Sequence, residues 1–286
     1  MTALVSMKDL FHSQPPQSAL LKKHIAYYYF HQSGADNSAR SFIYYPHYKN
    51  ALSIYKDSEV TLENNYTSIT KPKQNNYFFG FVKLTNHAAK AEIHPPFNKI
   101  GIAFQALGLN QFVEGNLAPY IPQSINLEFD YFKASMQSTL DKVYQTENIQ
   151  EKVELLDEYF LSIYTGLEEP KMEEAVELLL QSDSKYTVEE LAAELEVSRK
   201  TLLRLFRKHH NCSVIDYIKM IQFRKSIDAF QTSQDKATLT ELAYNTAYYD
   251  QSDFINHFKK LTGFNPKHFF KHLSNLGSQD TYWTFD

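Results

Sequence analysis

Residues 197–210 read VSRKTLLRLFRKHH and hold five Lys or Arg and no acid. Ser198 is a natural N-cap for a helix that begins there, because its hydroxyl can accept a bond from a backbone N–H of the first turn. On that helix Leu202, Leu205 and Phe206 fall at i, i+3 and i+4 and form one apolar stripe. Lys200, Leu203, Arg204 and Arg207 share the opposite face, with Arg199 at the first turn. A face of this kind can grip phosphate oxygens, and its Arg and Lys can bond guanine O6 and N7. An ordinary solvated basic helix has the same composition, so this stretch does not decide its own role.

A second stretch bears on the question. Residues 187–218 (TVEELAAELEVSRKTLLRLFRKHHNCSVIDYI) and 238–270 (TLTELAYNTAYYDQSDFINHFKKLTGFNPKHFF) are degenerate copies. Glu190-Leu191-Ala192 aligns with Glu241-Leu242-Ala243, Leu202 and Phe206 with Phe254 and Phe258, and Arg207-Lys208 with Lys259-Lys260, with one extra residue in the second copy's turn. Both open on a capping box, Thr187-x-x-Glu190 and Thr238-x-x-Glu241. Each copy therefore predicts a short helix, a tight turn and a second helix, the layout in which the second helix enters a DNA major groove. Between them, residues 212–231 carry Ile215, Ile218, Ile221, Phe223 and Ile227 at helical spacing. Some 17 helical residues there would span about 25 Å, a spacer of the right order to set two such helices in successive grooves about 34 Å apart.

These residues resemble the AraC/XylS family of bacterial transcription regulators. In the tail, Tyr248, Ser252, Phe254, Phe258, Lys259, Gly263 and Pro266 match that family's signature. VSRKTLLRLFRK resembles its first-copy run, and Arg224 stands where the family has an Arg in the linking helix. The resemblance covers about residues 170–272. It implies groove-facing positions at Lys200, Leu203 and Arg204, then Gln251, Ser252, Ile255 and Asn256; with Arg199, Arg207, Lys259 and Lys260 these are the candidate DNA-binding residues. Ser252, Ile255, Asn256 and Lys259 also lie opposite Phe254, Phe258 and Leu261 on a helical wheel. Leu203 and Ile255 either touch thymine methyl groups or pack beside the linking helix. Lys259, Lys260, Lys267 and Lys271, in a region without acids, are expected on phosphates.

The chain departs from the family pattern at Ala247, where a turn glycine is usual, and at Cys212 and Val214, where the first copy often has Gly and Pro. Asn256 holds a position that often carries Arg, and Asp253 aligns with Thr201. The first recognition helix is therefore expected to be the main grip. Asp253 fits the positive end of its helix more naturally than a cytosine N4.

The elements that position these helices fall into an α+β multidomain chain. Residues 25–32, 41–48, 51–57, 59–66, 77–85 and 99–107 are rich in aromatic and β-branched residues between polar, Pro or Gly punctuation. They predict a β-barrel or sandwich-like unit, followed by helices over 131–145 and 149–164. In the latter, Ile149, Val153, Leu156, Phe160 and Ile163 form a single seam, which serves either the chain's own β domain or a homodimer. The expected domains are 1–166, a sensor or dimerisation unit with two trailing helices; 170–276, an all-α tandem helix-turn-helix DNA-binding unit; and 277–286, a tail.

The chain has 286 residues and a net charge of −4, so a nucleic-acid surface must be local. Cys212 is the one cysteine, which excludes an internal disulfide. The start lacks an apolar signal core and no run is long enough to span a bilayer, so a cytoplasmic protein with no membrane partner is expected. No nucleophile elbow, phosphate loop or Cys pair occurs, and His24, His31, His47, His87 and His94 show no metal-ligand spacing. Neither an enzyme nor a cofactor or metal is expected. The partners implied are double-stranded DNA, a small-molecule effector of unknown site, a second copy of the chain and, for an activator, RNA polymerase. The competing reading is a ligand-binding or adaptor protein whose helix-turn-helix domain has weak or no specific DNA binding.

Overall fold

The computed structural model describes residues 10–271 apart from 65–66, 182–185, 234–236 and 247, together with 274–275 and 283–284. Its strands are β1 (Leu10–Gln14), β2 (Ile25–Ser33), β3 (Arg40–Tyr44), β4 (Asn50–Asn64), β5 (Thr67–Val82), β6 (Ala89–Ile93), β7 (Phe97–Phe104), β8 (Ile125–Asn126), β9 (Ser274–Asn275) and β10 (Trp283–Thr284). They form one sheet in the order β1-β2-β7-β4-β5-β6-β3-β10-β9, with β8 on β5, and the sheet curls into a half-barrel. The pairings are antiparallel except β5 with β6.

Strand alternation gives this sheet two different faces. Tyr28, Phe30, Leu52, Ile54, Phe79, Phe81, Ile100 and Ile102 point to the convex side. There they pack against Met136 and Leu140 of α1 (Lys133–Val143) and Val153, Leu156 and Phe160 of α2 (Ile149–Ser162). Asp157 of α2 ties this layer together: it accepts a bond from the Tyr28 hydroxyl at 2.8 Å and from the Gln17 and Ser18 amides at 2.8 and 2.9 Å. The alternate residues Tyr27, Tyr29, Ser53, Tyr55, Phe78 and Gly80 face the concave side and line a cavity. Gly101 is required there, since a Cβ at that position would meet the Tyr29 ring at 1.8 Å.

The helical region comprises α3 (Pro170–Gln181), α4 (Val188–Glu194), α5 (Arg199–His210), α6 (Val214–Thr232), α7 (Leu239–Asn245), α8 (Gln251–Thr262) and α9 (Pro266–Lys271). Two small cores divide it. Met172, Leu191, Leu202, Phe206 and Ile218 belong to the first, and Phe223, Ile227, Leu242, Phe254, Phe258 and Phe269 to the second. No helix among the described residues is long and apolar enough to cross a membrane.

Several expectations are corrected. Residues 51–57 and the described part of 59–66, up to Asn64, lie in one strand, β4, which passes through a bulge at Asp57 in a left-handed conformation (φ 54°); residues 65–66 lie outside the described residues. β5 begins ten residues before the expected Tyr77, and β6 was not anticipated. The chain does not stay helical to Leu276, because Ser274–Asn275 is a strand paired with Trp283–Thr284, and Trp283 pairs with Ile43. Of the two readings of the α2 seam, the packing supports the chain's own β domain: Val153, Leu156 and Phe160 are each 0% exposed within its core. Ile215, expected on the apolar side of the linking helix, is 47% exposed, whereas Arg224 of the same helix is buried.

Candidate nucleic-acid interface

Each helix-turn-helix is locked by local chemistry before packing is considered. Thr187 accepts a bond from the Glu190 amide at 3.1 Å while the Glu190 carboxylate accepts from the Thr187 amide at 2.8 Å. Thr238 and Glu241 do the same at 3.2 and 2.7 Å. These bonds hold the Glu190 and Glu241 carboxyls below their ordinary range. Ser198 caps α5 by accepting from the Thr201 amide at 3.0 Å. Its counterpart on α8 is Asp250, which accepts from the Asp253 amide at 2.8 Å. Asp250 was readable as an Asx residue ahead of an apolar stripe, and sequence reasoning passed over it. α5 ends on left-handed Asn211 and α8 on left-handed Gly263 (φ 78°). Pro266 does not help to stop α8; it opens α9, where its missing N–H is harmless.

The apolar stripes are buried: Leu202, Leu205 and Phe206 at 2% exposure or less, and Phe254, Phe258 and Leu261 likewise. The opposite faces are open. Lys200, Arg204 and Arg207 are exposed on α5, as are Gln251, Ser252, Asn256, Lys259 and Lys260 on α8. Leu203 and Ile255 are half-buried on the same faces, and Ile255 packs on the second helical core. Arg199 is exposed but engaged, its guanidinium 2.5 Å from the Glu189 carboxylate, and the same bond lowers the Glu189 pKa. The equivalent contact in the second copy is neutral, the Thr240 hydroxyl donating to Gln251 Oε1 at 3.1 Å. Asp253 lies 3.8 Å from Lys219 of α6. Lys267 and Lys271 are exposed on α9. Ala247 lies outside the described residues.

The inner end of α5 is fastened to the β domain. Asn110 Nδ2 donates to the His209 carbonyl at 3.2 Å, and Asn211 Nδ2 to the Ile121 carbonyl at 2.7 Å. Lys208 and His209 converge on Glu169 at 3.0 and 3.3 Å. Burial pushes the Glu169 carboxyl up, but the bonds from Lys208 and His209 outweigh it and leave the pKa below the ordinary value. The second copy docks through aromatic contact, Tyr45 lying 5.0 Å from Phe269 and 6.3 Å from Phe223 between ring centres. Arg224, in the middle of α6, reaches the concave cavity of the half-barrel.

Buried histidines make this domain sensitive to acid. His257 bonds the Tyr248 hydroxyl at 2.8 Å, and burial, with Lys219 nearby, lowers its pKa to about 4. His210 is buried against Tyr217, and burial holds its pKa well below the ordinary value. Folded protein keeps these rings neutral where unfolded chain protonates near 6.5, so stability present above that pH is lost as pH falls toward 4. For His257 alone the loss is about 3 kcal/mol. Urea midpoints are expected to fall between about pH 7 and pH 4.5, and to fall less in the His257→Gln variant. An unchanged midpoint across that window contradicts the burial argument.

Residues 191–272 match the family model described as "Helix-turn-helix domain". The Msm operon regulatory protein of Streptococcus mutans is 28% identical over 95 residues, 33% of this chain and 34% of that protein. The chain thus spans about a third of the length of the curated relative it matches. The C-terminal domain of AraT, a response regulator from Geobacillus stearothermophilus, is 24% identical over 36% of this chain and 85% of that one, with a TM-score of 0.34. ToxT from Vibrio cholerae covers 92% of this chain and 98% of its own at 13% identity, with a TM-score of 0.48.

Proposed function

We propose, from a chain whose C-terminal region is an AraC-type helix-turn-helix domain, that the protein is a sequence-specific DNA-binding transcription regulator that responds to a small molecule. The observation that carries the reading is the pairing of two capped second helices, each with one buried and one open face, through the continuous 19-residue helix α6. At 1.5 Å per residue α6 is about 28 Å long, which suits two helices entering successive major grooves. Arg204 and Lys200 then read or grip the first site, with Arg207 on phosphate. Gln251, Ser252 and Asn256 make neutral contacts in the second, with Lys259 and Lys260 on phosphate. RNA polymerase is a further partner if the protein activates, and a second copy of the chain is another. Such a protein works in the cytoplasm.

The concave cavity is the effector site in this reading. About 100 Å³ is open inside it, less than the roughly 150 Å³ that takes a benzene-sized guest. Its lining includes Arg224, Lys49 and His47 with eight tyrosine, serine or threonine hydroxyls, and no Asp or Glu. That composition favours a small neutral or anionic ligand. Because Arg224 belongs to the linking helix, occupancy bears directly on the spacing of the two helix-turn-helix units.

The test is selection of duplexes from a randomised pool by the full chain, followed by binding of the enriched duplex at increasing salt. If Lys200, Arg207, Lys259 and Lys260 each neutralise a phosphate, the log–log slope is about −4. A pool that never enriches, at low salt, overturns the reading and favours an adaptor.

A further inference from the structure

We infer that Tyr249 is a DNA-contacting residue of the second helix-turn-helix, its phenol donating to a phosphate at the mouth of the groove that α8 enters, with Tyr244 beside it along the same backbone. The inference rests on the DNA-binding reading above and adds residues that the family signature does not supply.

The two copies can be laid over one another by their turn bonds. The Val197 amide donates to the Ala192 carbonyl at 2.9 Å, and the Tyr248 amide to the Ala243 carbonyl at 3.2 Å, a constant offset along the chain. In the first copy the next residue, Ser198, is already the N-cap of α5. In the second, Tyr249 intervenes before the N-cap Asp250. The extra residue of the second turn is therefore Tyr249, and it projects outward at 86% exposure. Tyr244 is 84% exposed, whereas no other exposed large hydrophobic side chain among the described residues exceeds the 47% of Ile215.

Both tyrosines sit at one end of α8. Thr240 touches Gln251, the first residue of α8, at 3.1 Å. Tyr244 follows Thr240 by four residues on α7 and so shares its face. Tyr249 precedes Asp250 and Gln251 in the chain. The N-terminal end of a recognition helix is the end that meets bases, while the helix before it crosses the sugar–phosphate backbone. Two phenols flanking that end face the duplex rather than a distant protein partner. Tyrosine hydroxyls are among the side-chain donors to phosphate oxygens, and the ring offers a broad rigid contact with little rotamer freedom to lose. The chemistry also complements what α8 lacks. Where α5 presents Arg204, α8 presents Asn256, and Asp253 beside it is turned toward Lys219.

The experiment uses the full chain and a duplex it has selected from a randomised pool. Dissociation constants are measured for wild type, Tyr249→Phe, Tyr249→Ala and Tyr244→Ala, together with phosphate-ethylation interference. Loss of one hydrogen bond to a charged oxygen predicts binding about tenfold weaker for Tyr249→Phe and at least as weak for Tyr249→Ala. One phosphate in the second half-site whose ethylation blocks wild type should no longer matter for Tyr249→Phe, a signature that a folding defect does not produce. Melting temperatures should be unchanged. Wild-type affinity and an unaltered interference pattern in both Tyr249 variants overturn the assignment. Unaltered DNA binding with lost response to RNA polymerase in a purified transcription assay also overturns it, and assigns the pair to a protein surface. A wild-type chain that enriches no duplex defeats the DNA-binding reading itself, and this proposal with it.

Discussion

Arg204→Ala is expected to remove specific DNA recognition while leaving the fold intact. Arg204 stands on the open face of α5, opposite the buried Leu202 and Phe206 and one turn after Lys200. It holds no ion pair among the described residues, so its guanidinium is available to a ligand. A bidentate Arg–guanine pair is worth about 1–3 kcal/mol of discrimination, so binding to the selected duplex should weaken by about 5- to 150-fold. Affinity for a scrambled duplex should change much less, because nonspecific binding is carried by total charge. Two comparisons sharpen the result. Arg199→Ala should cost less, since Arg199 already spends its charge on Glu189 at 2.5 Å. Lys259→Ala should weaken all duplexes alike and reduce the salt slope by about one. If Arg204→Ala discriminates the selected duplex as wild type does, α5 is not the main reading helix.

How much of this was legible beforehand depended on range. The stripes and open faces of α5 and α8 follow from spacing within a dozen residues, and they appear as read. The capping boxes at Thr187 and Thr238 are equally local, each closing over four residues. The long strand β4 was read as two because Asp57 breaks the alternation; only pairing with β5 shows that the chain continues through a bulge there. The start of β5 is polar, and β6 alternates over only the five residues Ala89–Ile93, so neither stands out locally; their parallel pairing inside the sheet is a long-range feature. Arg224 was noticed as a family position, yet nothing in its neighbourhood predicts a fully buried guanidinium at a cavity built from distant strands. The spacing of the two copies gives one extra residue in the second turn without identifying it as Tyr249. Its exposure became meaningful only once the bonds of the two turns were matched.

The seam of α2 leads to the largest expected stability effect. Its spacing, barely two heptads long, suits a core more than a coiled partner, and the packing agrees. The Phe160 ring lies 5.0 Å from Phe112, 5.2 Å from Tyr159, 5.8 Å from Phe104 and 6.0 Å from Phe132 between centres. Phe160→Asp removes those contacts and leaves a cavity, at a cost of about 3–5 kcal/mol for the truncation alone. It also places a carboxylate among aromatic rings with nothing to bond it, which adds several kcal/mol or forces the group to protonate. Together these are comparable with the entire stability of a domain, about 5–15 kcal/mol. The expected product is an unfolded or aggregated β domain, seen as loss of cooperative melting, rather than a folded monomer. Leu161→Asp is the control, since Leu161 points outward at 44% exposure and should tolerate the charge. A Phe160→Asp protein that melts like wild type but shows half its mass by light scattering would restore the seam as a dimer interface. It would also require α2 to leave the convex face of the sheet, releasing Asp157 from Tyr28 and from the Gln17 and Ser18 amides.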